Sequence, residues 1–150
     1  MGVELDFSWP VFKQYAFYTS ILIFKVISIS FLTVALQYKK RIVFMKEDRK
    51  FLKTFRLVSY DEDIERTHRT QQDDLKTIIP FCILGFIYCF THPSPQYART
   101  LFQIFTVARF VYSFVCVIYI IRQPSRAIAW SVATVINLYM CFKIFFYFMG

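Results

Sequence analysis

The amino-acid sequence predicts an all-α integral membrane protein in which four helices form a bundle. The first observation is composition: 57% of the 150 residues are hydrophobic and the mean hydropathy is +0.43, a high value for a soluble chain of this size. The second is that the apolar residues gather in four stretches without the polar face of a soluble amphipathic helix. About 20 such residues, at about 1.5 Å each, cross a hydrocarbon core roughly 30 Å thick.

The sequence predicts one domain, with four helices and one long loop. The helices are expected at residues 11–38, 62–91, 97–122 and 125–149, and the loop at 39–61. The first, third and fourth apolar stretches are each long enough to cross a bilayer. The second is long enough only if the polar run before it, DIERTHRTQQDDLKT, continues the same helix. The first helix lacks the pattern of a cleavable signal peptide, so we expect a retained anchor.

Basic residues are concentrated on one side of the predicted membrane. Ten of the 18 Lys and Arg residues lie between Lys39 and Arg69, and Arg122 and Arg126 lie near the turn before the last helix. The positive-inside rule places both segments in the cytosol and both ends of the chain on the other side. The net charge of +8 therefore fits contact with membrane lipid, and the apolar content argues against a nucleic-acid partner.

The cysteines and histidines indicate neither a metal site nor a hydrolase. The four cysteines lie in apolar helices without a CxxC pair, and His68 and His92 are isolated in the sequence. We therefore expect no metal in this protein.

Two basic residues lie at predicted membrane depth, Lys25 in the first helix and Arg109 in the third. A charge at the bilayer centre costs about 2.5–3.5 kcal/mol on insertion scales, so such residues usually face the bundle interior or a wet cavity. Arg109 belongs to a polar stripe at helical spacing: Thr106, Arg109, Tyr112, Ser113 and Cys116. Interhelical hydrogen bonding without chemistry, and snorkelling of Lys25 to the surface, remain open alternatives.

A charged face precedes the second apolar stretch. Glu62, Arg66, Arg69, Asp73 and Lys76 fall within an arc of about 80° on a helix. Their spacing predicts the pairs Glu62–Arg66, Arg69–Asp73 and Asp73–Lys76. A ladder of solvated salt bridges is the alternative to a binding surface.

Two further features lie at the same cytosolic rim. Pro80 cannot donate to the carbonyl of Lys76, which predicts a kink and an open acceptor. QPSRAIAW (123–130) begins the last helix, with Ser125 as the predicted N-cap and Arg126 in the first turn. A helix N-terminus that carries an arginine attracts anions. The rim is therefore a candidate site for a small ligand with several charges.

Four segments together resemble one family: ERTHRTQQDDLKTIIPF (65–81), THPSP (91–95), VAR (107–109) and QPSRA (123–127). They resemble the membrane-associated proteins in eicosanoid and glutathione metabolism, the MAPEG family, from about Lys25 to the end of the chain. Ala127 matches the residue type of the glutathione transferase branch around the type 1 microsomal enzymes, which this chain resembles more closely. The prostaglandin synthase branch has a serine at the corresponding position.

The resemblance implies that the chain is one protomer of a homotrimer. It also implies that glutathione, the co-substrate, binds at the cytosolic rim between protomers. By resemblance, Arg126 is the catalytic residue that stabilises the glutathione thiolate. The resemblance implies these substrate-binding residues: Arg69, Gln72, Asp73, Lys76, Arg109 and Cys116. The chain departs from the family pattern where Gln71 replaces a histidine, Asp73 an asparagine, Lys76 a glutamate and Cys116 a tyrosine.

The function expected from the resemblance is conjugation of glutathione to lipophilic electrophiles, together with reduction of lipid hydroperoxides. The expected location is the membrane of the endoplasmic reticulum, with the mitochondrial outer membrane as a second place. The alternative is a diverged, non-catalytic protein of the same fold that binds glutathione weakly or not at all.

Overall fold

A computed structural model describes residues 10–117 and 125–150 of the protein. Its elements in chain order are α1 (Pro10–Lys40), β1 (Ile42–Val43), α2 (Lys46–Phe51), β2 (Arg56–Leu57), α3 (Glu62–Cys89), α4 (Pro95–Val117) and α5 (Ser125–Met149). The predicted end of the third helix, at 118–122, lies outside the described residues. The side chain of Ser125, the predicted N-cap, is also not described.

The structure confirms a mostly helical chain with helices fit to cross a membrane. Among the described residues, three helices are long and apolar enough to do so: Pro10–Lys40, Pro95–Val117 and Arg126–Met149. α3 is different, because its N-terminal half is the polar run and only its C-terminal half is apolar. The polar run does continue the helix, which passes through Pro80 without a break.

The four long helices pack against one another. α1 contacts α3 and α4, α5 contacts the same two helices, and α3 also contacts α4. Aromatic side chains fill the space between α3 and α4, where the rings of Phe81 and Phe105 stack with centroids 3.9 Å apart and Phe102 packs edge-on against Phe81. All three phenylalanines are fully buried, whereas large apolar side chains of α1 and α5 are exposed on the outside, as contact with lipid requires.

A close approach of α1 and α3 depends on Gly85. A Cβ atom at this position would lie 2.9 Å from Cε2 of Tyr15, too near for an undisturbed ring. The Tyr15 hydroxyl donates to the carbonyl of Cys82 at 2.6 Å. One turn earlier, the side-chain amide of Asn137 in α5 donates to the carbonyl of Thr77 at 3.0 Å. The region of α3 around Pro80, where the sequence predicted a kink, is thus tied to α5 at Thr77, the residue after the predicted Lys76 acceptor.

The segment between α1 and α3 contains only short elements, and an ion pair joins its two ends. β1 and β2 pair in parallel over two residues each. Lys40 at the end of α1 bonds Asp61 at 2.9 Å and Asp63 at 2.5 Å. Asp61 also caps α3 by accepting from the backbone N–H of Ile64 at 3.2 Å. The hydrogen bond from Lys40 holds the pKa of Asp61 below its ordinary value.

Candidate functional site

A buried group of four polar residues, the inner cluster, joins α1, α3 and α4. It consists of Lys25, Asp74, Arg109 and Ser113. Asp74 is fully buried and accepts from the guanidinium of Arg109, from Lys25 Nζ at 2.8 Å and from Ser113 Oγ at 3.0 Å. Lys25 Nζ also donates to the backbone carbonyl of Arg109 at 2.7 Å. One carboxylate from α3 therefore pairs with both basic residues that the sequence places at membrane depth.

The inner cluster decides between the alternatives for Lys25. This side chain is only 5% exposed and its ammonium is bonded inside the protein, so it does not snorkel to the surface. The cluster carries a net charge of +1 from two cations and one anion. Arg109 is also fully buried, its Nε and Nη1 atoms have no hydrogen-bond partner among the described residues, and its guanidinium lies 4.4 Å from the ring centroid of Tyr112. These contacts favour interhelical bonding as the role of Lys25.

Tyr112 connects the inner cluster to a second group, the rim cluster, formed by Asp73, Tyr112 and Arg126. The Tyr112 hydroxyl donates to Asp73 Oδ2 at 2.5 Å. The Arg126 guanidinium reaches the same carboxylate oxygen with Nη2 at 3.4 Å and the tyrosine oxygen with Nε at 3.4 Å. Since Asp73 and Asp74 are neighbours on α3, their side chains point about 100° apart. One therefore enters the inner cluster and the other meets α5 at the rim.

Two cavities meet at Arg126. The rim cavity, of about 380 Å³, is lined by Asp73, Tyr112, Arg126, Ala127 and Trp130. The charged cavity, of about 180 Å³, is lined by Tyr60, Glu62, Glu65, Arg66, Arg69 and Arg126. The Arg126 side chain is 43% exposed, so a ligand in either cavity can reach its guanidinium. A cation in this position, in the first turn of a helix, is suited to hold an anion.

The structure brings three of the predicted site residues to these cavities. Arg126 lines both, Asp73 lines the rim cavity, and Arg69 lines the charged cavity. Arg69 is 64% exposed and its Nε donates to Glu65 at 2.8 Å.

The other four predicted site residues line neither cavity. Gln72 is exposed and its amide lies 3.1 Å from the His68 ring nitrogen Nε2. Lys76 is exposed and takes part in no ion pair among the described residues. Arg109 is held in the inner cluster, and Cys116 is buried against Tyr112 and Ala129. Their predicted contacts with a ligand therefore remain predictions.

One of the three predicted ion pairs on α3 is present and two are wrong. Arg66 bonds Glu62 at 2.9 Å, which confirms that pair. Arg69 bonds Glu65 instead of Asp73, in the favourable orientation with the acid four residues before the base. Asp73 bonds Tyr112 and Arg126 instead of Arg69 or Lys76, because it faces the neighbouring helices rather than solvent.

Sequence reasoning missed the parts played by Asp74 and Tyr112. A signal for Asp74 was present, because a lysine and an arginine at membrane depth need an acid, and Asp74 is the last acid in the chain. Tyr112 was recognised only as part of a polar stripe, and that whole stripe is buried. Within residues 10–117 and 125–150, no group of three His, Cys, Asp or Glu side chains could hold a metal ion.

Known proteins are similar to this sequence over most of its length. The profile of the MAPEG family matches residues 15–146. The prostaglandin E synthase of Bos taurus is 30% identical over 132 residues, which are 88% of this chain and 85% of that protein. Microsomal glutathione S-transferase 1 of Homo sapiens is 28% identical over 144 residues, which are 89% of this chain and 88% of that protein.

Relatives with both names thus occur at similar identity, so identity alone does not separate the two branches. The profile match covers most of the chain and supports one conclusion. The chain belongs to the MAPEG family.

Proposed function

We propose that the protein is a membrane-bound glutathione transferase in which Arg126 stabilises the thiolate of glutathione. The observation that carries this proposal is the position of Arg126, half-exposed in the first turn of α5 and lining two cavities at once. Membership of the family and similarity to microsomal glutathione S-transferase 1 support glutathione as the co-substrate.

The membrane setting supports a lipophilic second substrate. Three apolar helices and the family assignment make the chain an integral membrane protein. A substrate dissolved in lipid reaches a site at the membrane rim without crossing bulk water. We therefore propose lipophilic electrophiles as acceptors, and the membrane of the endoplasmic reticulum or the mitochondrial outer membrane as the location.

The chemistry assigned to Arg126 is ionisation of the thiol. A free thiol has a pKa near 8.5, and lowering it by about two units requires roughly 2.7 kcal/mol of differential stabilisation of the thiolate. A guanidinium together with the positive end of a helix supplies stabilisation of this order in a partly dehydrated site. The thiol proton leaves to water, the thiolate sulfur attacks the electrophilic carbon, and a carbon–sulfur bond forms while the bond to the leaving group breaks and that group departs with the electron pair, as chloride does from a chlorodinitrobenzene. With a lipid hydroperoxide, two glutathiones would give the alcohol, water and glutathione disulfide.

The remaining predicted residues would position glutathione rather than react with it. Arg69 brings a second accessible cation to the charged cavity, where it can bind a carboxylate of the tripeptide. Asp73 holds Arg126 at the rim cavity through the ion pair. Gln72 and Lys76 are exposed on α3, so they would contact a ligand held against the outside of that helix.

An exposed stripe on α3 supports the proposed homotrimer. Its members recur at helical spacing and change from polar to apolar along the helix: Arg69, Gln72, Lys76, Ile79, Ile83 and Phe86. Ile79 and Ile83 are 52% and 58% exposed in a single protomer. A second copy packed on this stripe would cover the isoleucines and place Gln72 and Lys76 beside a ligand between protomers.

One observation favours the alternative of a non-catalytic protein. Arg126 is already paired with Asp73, and Tyr112 donates to that same carboxylate oxygen. An internal anion then occupies the place near the guanidinium that a thiolate needs. Glutathione must displace Asp73 or share Arg126 with it, and a chain in which it does neither would keep the fold without the activity.

The test compares two arginine variants of the full chain in lipid nanodiscs. Glutathione binding is measured by calorimetry, and conjugation is measured with a chlorodinitrobenzene. Arg126→Gln should lower conjugation at pH 7 by about 25-fold, because a rise of the thiol pKa from about 6.5 to about 8.5 lowers the thiolate fraction at pH 7 from roughly three quarters to roughly 3%. Arg99→Gln, an exposed arginine near the start of α4, is the control and should keep wild-type rates. Absence of glutathione binding to the wild type at millimolar concentration would support the non-catalytic alternative.

A further inference from the structure

A third cavity lies at the end of the molecule opposite to Arg126. It has a volume of about 560 Å³ and is formed by the end of α3, the turn after it, the start of α4 and the last turns of α5. Lys143 in its wall follows Arg126 by 17 residues of α5, which is about 26 Å along a helix axis. With Arg126 at one rim, Lys143 therefore lies at the depth of the opposite membrane interface. We call this the tyrosine cavity.

Hydroxyl groups and one ammonium group line the tyrosine cavity. Its walls contain four tyrosines, a serine, a threonine and a lysine: Tyr88, Tyr97, Tyr139, Tyr147, Ser94, Thr91 and Lys143. The Lys143 ammonium lies 6.0 Å from the ring centroid of Tyr139, and the rings of Tyr97 and Tyr139 lie 6.1 Å apart. Pro93 and Phe146 add apolar wall. A lysine beside several hydroxyls is a donor set for an oxyanion, and the apolar walls suit the carbon chain attached to it.

Among residues 10–117 and 125–150, no Asp or Glu side chain lies in this half of the molecule to balance the charge of Lys143. Every Asp and Glu of the described residues lies between Glu47 and Asp74, and no acid follows Asp74 in the sequence. None of the ion pairs among residues 10–117 and 125–150 includes Lys143. Lys13 and Arg99 add further positive charge near the same helix ends. Among the described residues the cavity thus has a cation without an anion, and a bound anion would complete it.

We infer that the tyrosine cavity binds the phosphate group of a membrane phospholipid. Lys143 neutralises the phosphate, the hydroxyls of Tyr97 and Tyr139 donate to its oxygens, and the glycerol and first acyl carbons lie against Phe146. The depth of the cavity favours a lipid over free phosphate, because phospholipid phosphates are concentrated at that level of the bilayer. This inference does not depend on the proposed glutathione chemistry, since the two sites lie at opposite ends of the helices.

The test measures lipid binding to the full-length, delipidated protein by native mass spectrometry. The probes are phosphatidylglycerol and a diacylglycerol with the same acyl chains, which lacks the phosphate. Wild-type protein should retain one phosphatidylglycerol per protomer about tenfold more tightly than the diacylglycerol. Lys143→Gln should remove most of this difference, and Lys13→Gln, an exposed lysine outside the cavity, should keep it. Tyr139→Phe removes one hydroxyl and should weaken the binding of phosphatidylglycerol several-fold.

Three results would overturn the inference. Equal binding of the two lipids by the wild type would show that the phosphate is not recognised. If Lys143→Gln bound phosphatidylglycerol as tightly as the wild type does, the tyrosines and the lysine would act only as a nonspecific interfacial belt. Displacement of phosphatidylglycerol by millimolar inorganic phosphate would assign the cavity to the free anion instead. Conjugation by Lys143→Gln should match the wild type, so failure of this inference and failure of the glutathione proposal give different results.

Discussion

Arg126 of α5 forms an ion pair with Asp73 of α3, with Nη2 3.4 Å from Oδ2. The side chains are 43% and 31% exposed, so the pair lies at the surface of the rim cavity, where a ligand can compete for it. Asp73 therefore sets the electrostatic conditions that any anion meets at Arg126. In the proposed enzyme, Asp73 holds Arg126 at the rim cavity. In the non-catalytic alternative, Asp73 occupies the place that a thiolate needs.

Replacing Asp73 by asparagine should make Arg126 a better partner for a thiolate. Loss of a carboxylate beside the site removes repulsion, so the pKa of the bound glutathione thiol should fall by about one unit. A pH titration of the thiolate absorbance, with saturating glutathione, measures this shift. Asp63→Asn makes the same charge change on α3 outside both cavities and should leave the thiol pKa as in the wild type. An unchanged or raised thiol pKa in Asp73→Asn would show that the charge of Asp73 does not oppose ionisation of the bound thiol.

Replacing Asp74 by asparagine should strongly destabilise the fold. The substitution leaves Lys25 and Arg109 buried without an anion, and removal of one partner from a buried ion pair costs about 3–5 kcal/mol. The free energy of unfolding in mixed detergent micelles measures the loss. Asp48→Asn, in the exposed helix α2, should stay within about 0.5 kcal/mol of the wild type. A loss below about 1 kcal/mol for Asp74→Asn would contradict the importance given to the inner cluster.

Lys25→Met should cost less stability than Asp74→Asn does. It removes one of two cations and leaves Arg109 paired with Asp74, so the net charge of the inner cluster falls from +1 to zero. Breaking a buried pair is costly because it leaves an uncompensated charge, and here Asp74 keeps Arg109 and Ser113 as partners. The same unfolding measurement gives the order of the two variants. A larger loss for Lys25→Met would mean that its bond to the Arg109 carbonyl matters more than charge balance.

The start of α3 should loosen in acid because of Asp61. The bond from Lys40 lowers the pKa of this carboxyl below 3.8, so its stabilisation is complete above that pH and is lost as the pH falls through the lowered value. Hydrogen exchange of the first turn of α3 should therefore speed up below about pH 4. Asp61→Asn keeps a good N-cap but loses the ion pair, and should show raised exchange already at neutral pH with little further change in acid. If the wild type and Asp61→Asn showed the same pH profile of hydrogen exchange, the Lys40–Asp61 pair would not stabilise the start of α3.

The sequence predicted the apolar helices because each one carries its signal within itself, but it did not predict the short helix α2 inside the loop expected at 39–61. Length and hydropathy identify α1, α4 and α5, and the i,i+4 spacing correctly gives Glu62–Arg66. The parallel pairing of β1 and β2 left no usable signal, because strands of two residues have no period.

Interactions between helices were harder to predict. Periodicity fixes which residues share a face but not which face meets which helix, so Asp73 was assigned to Arg69 and Lys76 instead of Tyr112 and Arg126. Asp74 was missed for the same reason, since its partners lie 35 and 49 residues away in the chain. The arginine at the start of α5 was found because the helix start and the resemblance pointed to the same residue, Arg126.

The most direct test of the account is the ultraviolet absorbance of glutathione thiolate on the purified protein at neutral pH. Wild-type protein with millimolar glutathione should show thiolate absorbance that saturates with concentration, and Arg126→Ala should abolish it while Arg99→Ala keeps it. A wild type without this absorbance, or an Arg126→Ala variant that retains it, would contradict the claim that Arg126 ionises the bound thiol.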